Sequence, residues 1–298
     1  MIYVVHHAVT LVLAAAAAWA LLRGRWPLRA PRLALMLWHA TAVSVVTGAI
    51  GLLLSIGLAP YGRGIAPALG ALLAGGAAPL TGAHVAAVAA GLILVAVAVG
   101  VQAHSSWQLW RHRSRHRLLL RLVGRPDPHR RALLLDHPAA AAYYVPGPAG
   151  CVVVSTGAVD ALTERELAAV LAHEHAHAHG HHHLALAPFQ AARRALPIGP
   201  VVRAAAAVEL LVEMCADDRA ARHHGPAPLT TALRRFHQLG ARPAPTGTIA
   251  AADTPIALRI ARLGSAPRPI RRSVRWAVTL GALAVATTPA SLYVLPTW

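Results

Sequence analysis

The chain has 298 residues, of which 56% are hydrophobic and 13% charged, and its mean hydropathy is +0.50. Soluble domains carry about 25% charged residues, so this composition excludes an ordinary soluble protein and points to an integral membrane protein. The net charge is +17, carried by arginine alone, and two cysteines, Cys151 and Cys215, are too few for a disulfide framework.

Residues 2–22 contain no charged side chain and are long enough to cross a bilayer. The basic residues follow this run instead of preceding it, which predicts an uncleaved span rather than a signal peptide. A second span is expected at about 33–60 and a third at about 82–104, the latter ending at Trp107 and Trp110 ahead of a basic cluster. A fourth is expected at about 276–296. The chain therefore divides into 1–104 with three spans, 105–272 as one domain, and 273–298 as the last span with a short tail. Arginine placement orients them. The first loop holds Arg23, Arg25, Arg29 and Arg32, the second only Arg63, and the segments flanking 105–272 hold many. The positive-inside rule then puts both termini outside and the 105–272 domain in the cytosol. The same arginines lie against anionic lipid, so nucleic acid is not expected as a partner. His6, His7, His39 and His84 in the spans are read as interfacial or packed residues. The absence of lysine suggests a GC-rich bacterium.

Within the domain, residues 105–135 read as a basic juxtamembrane helix broken at Gly124, Pro126 and Pro128. AAAYYVPG and AGCVVVSTG have strand composition around a turn and predict an antiparallel pair. Thr163 and Glu166 form a capping box that starts a helix running to about His179, with Gly180 as its stop. This helix carries His173, Glu174 and His177 as H-E-x-x-H. Positions i and i+4 share a helix face, so both imidazoles can reach one metal ion, and Glu174 can take a proton from the water such an ion activates. His175 stands about 200° around the helix from His173 and cannot join that ligand set. It is assigned with His179 and His181–His183 to the polar face or a loop. The competing reading of this run is a disordered metal-chelating tract.

A catalytic zinc usually has three protein ligands and an open position. Glu213 and Asp217, spaced E-x-x-x-D on a plausible helix, can supply the third ligand and a hydrogen-bond acceptor for a ligand histidine. A solvated acidic face through Glu209, Glu213 and Asp217 is the alternative.

HEHAH followed about 35 residues later by EMCAD resembles the gluzincin peptidases. With three spans before the domain and one after, the chain resembles the BlaR/MecR-type membrane metallopeptidases. That resemblance implies an α+β zincin domain between the third and fourth spans of a mainly α membrane protein. It also implies one Zn2+ on His173, His177 and Glu213, with Glu174 as catalytic base and Asp217 in support. The expected function is zinc endopeptidase action on a cytosolic or juxtamembrane protein, such as a BlaI-type repressor in a signalling pathway. A chain without lysine has no S-x-x-K acylation site, and this one ends shortly after the fourth span, so direct β-lactam sensing is not expected. In related stress and prenyl-protein peptidases a downstream His stands near a Pro and an Arg, where this chain has Thr254 in DTPIALRIARL. The oxyanion-stabilising group is left among Tyr143, Tyr144, His223, His224 and Arg259. Other readings are a heat-shock-type quality-control zinc peptidase, a non-catalytic metal-binding sensor or scaffold, and a nucleic-acid-binding regulator acting through 111–131.

Overall fold

The computed structural model describes residues 2–148, 150–239, 255–265 and 270–294. It is mostly helical and divides into two compact units, Met1–Val101 with Ile270–Trp298, and Gln102–Pro269.

The first unit contains α1 (Ile2–Arg23), α2 (Pro31–Gly57), a 3-10 turn at Ala59–Tyr61, α3 (Ile65–Leu73), the first part of α4 (Gly82–Val123) and α11 (Arg272–Val294). α1, α2 and α4 are long and apolar enough to cross a membrane. α11, the fourth expected span, packs against α2 and α1, and residues 295–296 of that expected span lie outside the described residues. The outer faces present Val5, Val9, Val12, Leu92, Ile93 and Val99 in exposed positions. A helix that satisfies its own backbone and shows aliphatic side chains outward suits hydrocarbon rather than water. The third apolar run continues as helix well beyond 104, to Val123, where Gly124 ends it.

In the second unit a four-stranded sheet runs in the order β1 (Gly124–Asp127), β2 (Ala132–Leu135), β4 (Cys151–Ser155), β3 (Ala142–Val145). β3 and β4 are antiparallel as expected, with Tyr143 opposite Val153. The part of 105–135 after Gly124, expected as the end of a broken juxtamembrane helix, instead forms the β1–β2 hairpin, and β2 pairs parallel with β4. Pro126 is tolerated because β1 is an edge strand and its nitrogen has no ladder bond to donate. The sheet is covered on both faces. Tyr144, Val152 and Val154 face Leu167, Val170 and Leu171, while Tyr143, Val145 and Val153 face Leu120 of α4. Burial on both sides accounts for the unbroken VVV of β4.

The remaining helices are α5 (Thr156–Ala161), α6 (Glu164–His179), α7 (His182–Ala195), α8 (Gly199–His224), α9 (Pro226–Gln238) and α10 (Ile256–Gly264). α6 lies between the sheet and α8. Its third side meets α9 through Ala169, Leu229 and Leu233, where Ile256 and Ile260 of α10 also pack.

Candidate metal centre

α6 is fixed at its start by a complete capping box. Thr163 N–H donates to Glu166 Oε2 at 2.8 Å, and Glu166 N–H donates to Thr163 Oγ1 at 3.4 Å. With both orphan donors satisfied and Leu167, Val170 and Leu171 in the core, the helix is a rigid support for what it carries two turns later. His173, Glu174 and His177 are all buried there, on the side facing α8.

α8 brings Glu213 to them. Nε2 of His173 lies 3.1 Å from Nε2 of His177 and 3.3 Å from Glu213 Oε2, and Nε2 of His177 lies 3.3 Å from Glu213 Oε1. One donor atom from each of the three falls within 4.8 Å of the others. Two imidazole nitrogens and a carboxylate oxygen, converging from two buried helices, form a donor set suited to a tetrahedral zinc with one position left open. Asp217, one turn on from Glu213, places Oδ1 3.0 Å from His173 Nδ1, on the ring edge away from the other donors.

Glu174 sits beside this cluster. It accepts a hydrogen bond from the Tyr144 backbone N–H of β3, and its Oε2 has no protein partner among the described residues. A buried carboxylate oxygen with nothing to bond is costly unless a water or substrate group completes it. Burial, reinforced by the negative charge of Glu213, pushes Glu174 up to about 8 against the pull of His173 and Arg259. Burial works against charge on His173 as well, but Asp217 and Glu213 outweigh it and raise that ring to about 10. The same carboxylates are held down by cationic partners, Asp217 chiefly by Arg259 once the cost of its burial is overcome.

Arg259, a candidate oxyanion donor by sequence, has a wholly buried side chain that is committed elsewhere. Nε donates to Asp217 Oδ2 at 2.8 Å, Nη2 to Asp217 Oδ1 at 2.6 Å, and Nη1 lies 3.1 Å from Glu213 Oε2. Three residues on, Arg262 Nη2 donates to Asp218 Oδ2 at 2.8 Å, so two arginines of α10 grip two successive aspartates of α8. Of the other oxyanion candidates, Tyr143 turns away to the α4 side and lies 3.1 Å from His116 Nε2. His223 and His224 are exposed at the end of α8. Tyr144 is buried in the sheet–α6 core, and Thr254 lies outside the described residues.

The additional histidines divide in two. His175 Nδ1 lies 2.6 Å from the Leu171 carbonyl and His179 Nδ1 2.7 Å from the His175 carbonyl, each serving its own helix. His182 is not the loop residue expected from the sequence. It is buried, with Nδ1 2.9 Å from Nδ1 of His177. The stop of α6 also differs in detail. Gly180 keeps near-helical dihedrals, and the left-handed residue is His181, at φ 48°.

Residues 105–215 match the model of Peptidase family M48. M48 is a zincin-type metallopeptidase family whose members depend on zinc. The M48 match takes in the sheet, all of α6 and α8 as far as Cys215. It therefore includes His173, Glu174, His177 and Glu213 and stops two residues short of Asp217. No curated protein and no solved structure matches the chain. Residues 105–215 are thus similar to a metallopeptidase-family domain, and the three converging donors fit the metal that M48 peptidases use.

Proposed function

We propose that this chain is a membrane-bound zinc endopeptidase that cleaves a cytosolic or juxtamembrane protein, with a BlaI-type transcriptional repressor as the substrate of a signalling pathway. The supporting observation is the convergence of His173, His177 and Glu213, with the partnerless carboxylate oxygen of Glu174 buried beside them in an M48 segment. His173, His177 and Glu213 would hold the zinc, which when bound would supply Lewis acidity, making water more acidic and favouring negative charge on a substrate carbonyl oxygen.

The protein's own groups do the rest. Glu174 takes a proton from the attacking water and returns it to the leaving amine, acting first as general base and then as general acid. Asp217 holds His173 from its far nitrogen, and Arg259 offsets part of the negative charge of Asp217 and Glu213. An extended substrate pairs along β3, which is an edge strand flanking α6.

Comparison of protein N-termini in cells expressing wild type or Glu174→Gln tests this reading. New termini in a cytosolic repressor or at juxtamembrane sites are expected only with wild type. Termini scattered over many unrelated membrane proteins would favour a quality-control peptidase instead. Identical profiles would favour the non-catalytic metal-binding scaffold, which further predicts more than one zinc per chain.

A further inference from the structure

His182 opens α7, five residues after His177. The left-handed turn at His181 folds it back on α6, so that the two rings meet edge to face at 90° with centroids 4.8 Å apart. Nδ1 faces Nδ1 at 2.9 Å. His177 has no exposed surface and His182 is buried. Gly180 belongs to the same arrangement, because a Cβ there would overlap the His182 ring.

A histidine that offers Nε2 to a metal carries its proton on Nδ1, and that proton needs an acceptor. For His173 the nearest acceptor is Asp217, whose Oδ1 lies 3.0 Å from Nδ1. Nε2 of His177 faces His173 and Glu213, which leaves Nδ1 to His182. We propose that His182 is the positioning residue of His177: its Nδ1 accepts the Nδ1–H of His177 and so keeps Nε2 free to bind zinc. The inference rests on the zinc reading above. The two ligand histidines are then held unequally, one by a carboxylate and the other by a neutral ring.

The test uses the full chain in detergent, with Glu174→Gln as parent to prevent self-cleavage. Zinc affinity is read by competition with a chromophoric chelator, and the ligand field by the visible spectrum of the cobalt-loaded protein. His182→Ala should weaken zinc binding by about 10- to 100-fold and shift the cobalt bands, while the metal-stripped protein unfolds at the parent's temperature. His182→Asn, which returns an acceptor oxygen, should recover most of the affinity. Gly180→Ala should weaken binding by displacing the ring. If His182→Ala does not fold, the Asn and Gly180→Ala variants carry the comparison with the parent. Parent-like affinity in a folded His182→Ala, or in Gly180→Ala, overturns the proposal, as does an Asn variant no tighter than Ala. A parent that takes up no zinc overturns the metal-centre reading along with it.

Discussion

At the scale of single residues the centre is a buried charge network whose parts depend on one another. Arg259 faces Asp217 and Glu213 with no exposure of its own. Removing one member of a buried ion cluster leaves the remaining charges uncompensated, at a cost of about 3–5 kcal/mol. Arg259→Met should therefore lower the unfolding temperature of the metal-stripped protein well below wild type. An unchanged temperature would mean the guanidinium is not holding those carboxylates. Glu174 gives a prediction of pH dependence. Its carboxyl is raised from 4.5 to about 8 by burial. Between those values the unfolded chain has released its proton and the folded one has not, so wild type loses stability as pH rises through that window. Glu174→Gln has no proton to release. In metal-stripped protein the Gln variant should equal wild type near pH 4 and exceed it at pH 8–9, and thermal melts across pH read the difference. The histidine pair and its glutamate can be read from three positions on one helix face. Arg259 cannot, because its partner is 42 residues away and arginine is the only basic residue type among 28. His182 is hidden among identical neighbours, and only the left-handed turn at His181 singles it out.

Among the elements, α6 is the most legible, since its cap, apolar stripe and ligand spacing all lie within one short stretch. Thr163 carries the entry of that helix, and Thr163→Ala should cost about 0.5–2 kcal/mol. A matching drop in thermal stability, with Thr163→Ser close to wild type, is the expected result. The β3–β4 pair is legible from its β-branched and aromatic composition. β1 and β2 are not, because a Gly-Arg-Pro-Asp strand lacks β-formers and Ala-Leu-Leu-Leu suits a helix equally well. Their pairing is decided by what covers the sheet, namely Leu120 on one face and α6 on the other. The join within α4 is also hidden, since the expected span and the expected basic helix after it form one helix, passing from an apolar stretch into an arginine-rich one with no change of backbone.

For the whole molecule, the sequence reports hydropathy and charge order, while the exposed valines and leucines of the helices report a surface made for lipid. The arginine distribution predicts that the 60–81 loop lies outside and both native cysteines inside. Ala77→Cys, at an exposed loop position, should react with a membrane-impermeant maleimide on intact cells, whereas Cys151 and Cys215 should not. Labelling only after lysis would reverse the orientation and put the centre on the other side of the membrane. The central claim is that one zinc and Glu174 together hydrolyse peptide bonds. Its most direct test is cleavage of an unfolded protein such as casein by purified wild type and Glu174→Gln, each shown to hold one zinc per chain. Cleavage by wild type, with a loss of at least about 100-fold in the Gln variant, is the predicted result. Equal rates from the two proteins would contradict it.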